Sequence, residues 1–180
     1  MFWLLWSFLS VWRQAFLPSI FVYTNNIVPA DETGTPLKLG DVVTVDAVLE
    51  TFNNIDELSS PVVKVTGSGL VDPVDLTTAK LQPGSTDAEA QESQLVRVKL
   101  VTVAAMVTGT DAFFVADDGS TCSGSTIPCA KVADFIYDGG VVDGKPAAAV
   151  GGTFSSIVGV VNGYKNDHTL EPRDAADLVP

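Results

Sequence analysis

Between Val42 and Phe52 the chain alternates. Val43, Val45, Ala47 and Leu49 set apolar side chains on one side, and Thr44, Asp46 and Glu50 set polar ones on the other. A period of two predicts a half-buried antiparallel strand. Asn53-Asn54 follows, a pair tolerant of left-handed backbone, so a turn is expected there. The return strand runs through Leu58, is expected to break near Pro61, resumes as Val62-Val63-Lys64-Val65, and stops at Gly67-Ser68-Gly69. The same hairpin is written again downstream at a constant offset. Gly40 falls on Gly152, Val48 on Val160, Asn54 on Asn166 and Leu58 on Leu170. Unlike pairs keep their chemistry: Val42 with Phe154, Val45 with Ile157, Leu49 with Val161, Phe52 with Tyr164. Upstream, Phe21-Val22-Tyr23 resembles Phe135-Ile136-Tyr137 at nearly the same distance before its hairpin.

The remaining pattern is sorted around these two hairpins. Ile20 to Thr24 reads as a short strand, followed by the polar loop NNIVPADETGTP. Residues 71–92 show no period and read as a linker, with a helical piece around Thr86 to Ser93. Strand Leu95 to Val107 alternates as far as Leu100 and then slips phase to Val101 and Val103, which predicts a bend in a long strand. Further strands are expected at 112–116, 132–137, 153–164 and 169–172, and Asp174 is placed to cap a turn over Ala175 to Val179. The fold class is therefore all-β. The organisation expected is an apolar, helical segment at 1–19, a partial barrel unit at 20–70, the linker at 71–92, and a complete unit at 93–180. Five strands with a long bent first member fit a small Greek-key barrel of the oligonucleotide/oligosaccharide-binding (OB) type, two in tandem with the first incomplete. Gly159, opposite Ala47 in the repeat, would let a coiled strand turn a barrel corner. An immunoglobulin-like sandwich is the alternative, although its seven strands are hard to find in either unit.

Charge narrows the function classes. The 180 residues carry 10 Lys and Arg against 22 Asp and Glu, a net charge of −12 that repels phosphates. An acidic surface is compatible with solvation alone, with a divalent-cation site, or with high salt. Cys122 and Cys129, in TCSGSTIPC, have no histidine or second cysteine pair nearby to complete a zinc site. A local disulfide is expected instead, which implies an oxidising compartment. Phe2 to Trp12 is an apolar run of signal-peptide length, without a basic start or a clear cleavage site. Export, with membrane contact through this segment as the alternative, is the expected localisation.

Taken in order, LKLGDVVTVDAVLETFNNIDEL, VTGSG, LVRVKLVTV, FFVADDG, VADFIYD and TFSSIVGVVNGYKNDHTLEPRDAADLV resemble the tandem OB-like region of large bacterial secreted nucleases. In that family the region adjoins a catalytic domain of the endonuclease/exonuclease/phosphatase type. The resemblance spans roughly residues 19–179 and implies an accessory module of an exported protein, with a nuclease catalytic domain as its partner. No catalytic domain is present in this sequence, and opening strands ahead of IFVYT are not recognisable.

Catalysis is not expected. The sole histidine, His168, falls in the predicted turn of the second hairpin, and no GxSxG, HExxH or phosphate-cradling loop occurs. The best ligand surface would be the strand 2–3 face of the second barrel. There Phe113, Phe114, Phe135 and Tyr137 are candidates to stack bases or sugars, although alternation must turn about half of them inward. Asp117, Asp118 and Asp138 are candidate ligands for Ca or Mg, with Asp134 nearby; no other cofactor is expected. Two functions remain open: a non-catalytic module that supports a nuclease or weakly binds nucleic acid or polysaccharide, and a purely structural or surface-interaction β-domain.

Overall fold

The computed structural model describes residues 19–24, 28–53, 55–117, 129–137, 148–165 and 167–180. The chain divides into two compact units, Met1–Asp72 and Pro73–Pro180.

Unit 1 is built on the first hairpin. Strands β1 (Phe21–Val22), β2 (Asp41–Phe52) and β3 (Ile55–Ser68) form one sheet in the order β1-β3-β2. β2 and β3 are antiparallel, and β1 joins the other edge of β3 in parallel. Asn53 turns the chain with a φ of 51°, as an asparagine tolerates. Pro61 does not break the return strand. β3 continues through it, and the irregularity is absorbed by a positive φ of 52° at Ser60 and a register shift opposite, between Asp46 and Val48. A bulge is where a strand can accept a residue that has no N–H to donate. The buried apolar side chains are Phe21, Val22, Val43 and Val63. Leu49, expected on the inner face with Val43, is exposed, and so is its neighbour Val48.

Unit 2 holds a closed barrel of five strands, drawn from β4 (Val74–Asp75), β5 (Leu95–Met106), β6 (Phe113–Ala116), β7 (Ala130–Val132), β8 (Thr153–Tyr164), β9 (Asp167–Glu171) and β10 (Leu178–Val179). β5, β6 and β7 pair consecutively and antiparallel, and β8 returns to lie beside β5. A fourth strand beside the first is the Greek-key arrangement. β9 closes the barrel, antiparallel to β8 and parallel to β7. β4 extends the wall on β5, and β10 extends it on β8. Val96, Val98, Val101, Val103, Ile157 and Leu170 fill the interior. The phase slip expected in β5 occurs at Leu100, whose φ is 52° and which is exposed, while register with β8 is the same on both sides of it.

The repeat is reproduced pair by pair. Phe52 meets Ile55 as Tyr164 meets Asp167, and Leu49 meets Leu58 as Val161 meets Leu170. Asn53 and Lys165 occupy the same turn position with φ of 51° and 53°. The upstream match needs correction. The partner of β1 is β7 at residues 130–132, whereas Phe135-Ile136-Tyr137 lie beyond it in a bend. Tyr23 N–H donates to Leu58 O and Ala133 N–H donates to Leu170 O, so Val22 corresponds to Val132. Local likeness of FVY to FIY misled because the parallel strand is fixed by its bonds to the hairpin.

The linker at 71–92 is also corrected. From Pro73 onward it belongs to unit 2. β4 pairs with β5, and a 3-10 turn at Thr78–Leu81 sends Leu81 into the barrel core. Helix α1 (Thr86–Glu89) starts where Ser85 Oγ accepts the Ala88 N–H at 3.1 Å, and it buries Ala88. Contacts made by single residues leave no period to read. At the other end Asp174 caps its turn as expected, accepting the Ala176 N–H at 2.8 Å, although the turn is 3-10 and short. The expectations for 1–18 lie outside the described residues. Among the described residues no helix is long and apolar enough to cross a membrane.

Candidate functional site

The expected aromatic surface is only partly assembled. β6 alternates, so Phe113 points inward and stacks on Phe154 with ring centroids 5.9 Å apart, while Phe114 is half-buried on the outside. Phe114 is opposite Lys131 on β7, and the Lys131 ammonium is held 2.5 Å from the Asp167 carboxylate. Phe135 is exposed and Tyr137 half-buried in the bend after β7. That bend is tied down by Glu171 of β9, which accepts the Phe135 N–H at 2.9 Å and the Thr169 hydroxyl at 2.6 Å. Burial pushes the Glu171 carboxyl above its ordinary range, against the lowering effect of those two hydrogen bonds. Phe114 and Phe135 thus remain candidates for stacking, and Phe113 is core.

Asp117 has a structural role rather than the open face a cation needs. Its two carboxylate oxygens accept the Thr78 N–H at 3.1 Å and the Thr78 hydroxyl at 2.8 Å, fastening the 3-10 turn to the end of β6. Asp118 and Asp138 lie outside the described residues. Cys129 is buried and is not a free thiol. Its expected partner, Cys122, is outside the described residues, so their pairing is carried forward as a proposal.

A different cluster was not foreseen from the sequence. β9 places His168 opposite Gly163 of β8, and the ring is buried against the end of α1. Its Nε2 lies 3.2 Å from Glu89 Oε2 and 3.4 Å from Glu92 Oε1. Its Nδ1 accepts the Gly84 N–H at 3.2 Å. Glu92 reaches this position because Gly163 has no side chain: a Cβ there would stand 1.4 Å from Glu92 Oε1.

The three ligating atoms lie within 4.8 Å of one another, close enough to converge on one cation. The hydrogen bonding argues for a proton instead. With Nδ1 accepting from Gly84, the neutral ring carries its proton on Nε2, the nitrogen facing the carboxylates. A metal at Nε2 would have to send that proton to Nδ1, where it would break the bond from the Gly84 N–H. Burial pushes the imidazole down, but hydrogen bonding and negative charge from Glu92 and then Glu89 outweigh it, and the net shift is upward. The Gly84 amide opposes a second ring proton, yet it is one neutral dipole against two carboxylates.

The sequence signal for this cluster was thin. Glu89 and Glu92 stand one helical turn apart after a capping serine, but nothing local ties them to His168. No family model matches the chain, and no curated protein or solved structure is similar to it at a significant level.

Proposed function

We propose that unit 2 is a barrel of the OB type and that the protein is a non-catalytic accessory module of an exported bacterial protein. In this reading it binds a polymeric ligand weakly, single-stranded nucleic acid first and polysaccharide second, and supports a nuclease catalytic domain as its partner. The observation that carries it is the five-strand Greek-key barrel whose second and third strands, β6 and β7, turn Phe114 and Lys131 outward. That is the face on which OB barrels engage oligomers. Stacking rather than phosphate pairing supplies the affinity, since Lys131 is already neutralised by Asp167 and the chain is strongly acidic. A Cys122–Cys129 disulfide belongs to the same proposal, because it requires export to persist.

The test is a titration of the whole protein with a fluorescent single-stranded oligonucleotide and with neutral oligosaccharides. Binding of either, weakened by roughly 1–3 kcal/mol in Phe114→Ala, supports the reading. Absence of binding to both, or binding indifferent to Phe114→Ala and Phe135→Ala together, overturns it and leaves the structural-domain alternative. Cleavage of the oligonucleotide by the pure protein would contradict the non-catalytic part.

A further inference from the structure

The two hairpins share sequence, turn and the register of the five pairs nearest the turn, yet opposite fates meet their side chains. In unit 2, Phe154, Val160 and Val161 are 4%, 0% and 1% exposed. Their counterparts Val42, Val48 and Leu49 in unit 1 are 42%, 59% and 65% exposed. The cause is visible in the pairing. β8 has β9 on one edge and β5 on the other, whereas among the described residues β2 pairs with β3 alone. The edge that β5 fills in unit 2 has no partner strand along β2 among the described residues, and exposed apolar side chains lie along it. A long apolar strand edge is a template for another strand.

We propose that the β2 edge is a docking site for an antiparallel β-strand of a partner polypeptide in which apolar and basic residues alternate. The chemistry of the occupant is read from the repeat. β5 meets β8 with Leu95 opposite Val160, Arg97 opposite Val158, Val98 opposite Ile157 and Lys99 opposite Ser156. Carried across the repeat, these positions fall on Val48, Asp46, Val45 and Thr44. The arginine position thus comes to face Asp46, and Asp41 and Glu50 stand farther along the same strand. A basic strand is therefore better matched to β2 than β5 is to β8. A second copy of the chain is the poorer occupant, because two β2 edges side by side would bring the carboxylates of Asp41, Asp46 and Glu50 together. Backbone hydrogen bonds would supply the affinity and the alternating side chains the register, as in other strand additions. This site is independent of the oligomer-binding face on unit 2.

The probe is a synthetic peptide of the chain's own residues 94–104, QLVRVKLVTVA, added to the full-length protein. The expected result is one-to-one binding, with new amide-exchange protection on addition of peptide at those amides of residues 41–48 that point away from β3. Asp46→Lys, an exposed change that leaves the hairpin intact, should weaken binding roughly two- to fivefold. The peptide carrying Arg97→Glu should recover that loss. Three results overturn the proposal: no binding, binding without new protection in β2, or a charge reversal that rescues nothing. Protection in the protein alone of the amides of 41–48 that point away from β3 also overturns it, since the edge would then already be covered, by residues 1–18 or by a second copy.

Discussion

His168 couples the barrel to α1 through a proton. Its pKa in the folded protein is raised above its ordinary 6.5 by Glu92 and Glu89 acting against burial. A group whose folded value is the higher one contributes stability that is whole below about pH 6.5 and is lost as pH rises through the raised value. Unfolding by urea from pH 5 upward should therefore show a loss of stability on the alkaline side, and His168→Gln should flatten that slope. At pH 6 the same variant should be less stable by roughly 1–3 kcal/mol, the cost of unmaking buried hydrogen bonds. Glu171 acts in the same sense, since its raised value gives stability that is lost as pH rises above its ordinary 4.5, and the His168→Gln comparison isolates the share of the imidazole. Gly163→Ala supplies a separate check, because the new methyl collides with the Glu92 carboxylate and must swing it away. Ring-proton NMR should then find His168 titrating at lower pH than in the parent. An unchanged midpoint would show that Glu92 does not control the imidazole.

Among the elements, the hairpin was legible because its determinants are local. Alternation and the Asn53-Asn54 turn each act within a few residues, and the repeat presented the pattern twice. The structure gives Gly159 a close backbone approach rather than a corner as its reason, for a Cβ there would lie 2.8 Å from the backbone carbonyl atoms of Glu171 on β9. Gly159→Ala is expected to destabilise unit 2 by about 1–3 kcal/mol, although alanine normally improves on glycine in a strand. Thermal melts of the single variant check this, and a neutral result would mean the approach has slack. What escaped the sequence depends on contacts between distant residues. The 73–92 stretch has no period because Leu81 enters the core, Leu76 packs against it and Thr78 holds Asp117, at spacings of neither strand nor helix. The register of β7 against β9 was missed for the same reason, and so was the meeting of Glu89, Glu92 and His168. Phe113 and Phe114 could be told apart only once the phase of β6 was known.

Across the whole molecule, unit 2 is the part with a closed core, and it begins at Pro73 rather than at residue 93. A fragment of residues 73–180 should unfold cooperatively. One starting at Thr86 lacks β4 and Leu81 and leaves the Asp117 carboxylate without Thr78, so it should be less stable by roughly 3–5 kcal/mol. Equal stability of the two fragments would contradict the role given to that stretch. Reduction of the proposed Cys122–Cys129 disulfide adds a further measurement. Opening a loop of eight residues should cost about 2.5 kcal/mol, less any strain released. A melting temperature indifferent to reductant would argue against the pairing.

The seam between β5 and β8 also sets a clock. Leu95 must find Val160 and Thr102 must find Thr153 before the barrel can close, so the ordering of a long intervening chain precedes any gain from the closed core. The β8–β9 hairpin has no such wait, and in unit 1 no described strand pairing spans more than Phe21 to Glu57. Both hairpins should therefore form early, and the β5–β8 seam should follow on a slower timescale within the same molecule. Stopped-flow refolding followed by pulsed amide exchange should find residues 41–58 protected ahead of 95–102. During that interval β8 has the same bare edge that β2 presents in the folded protein, so aggregation in refolding should rise with protein concentration until the seam is made.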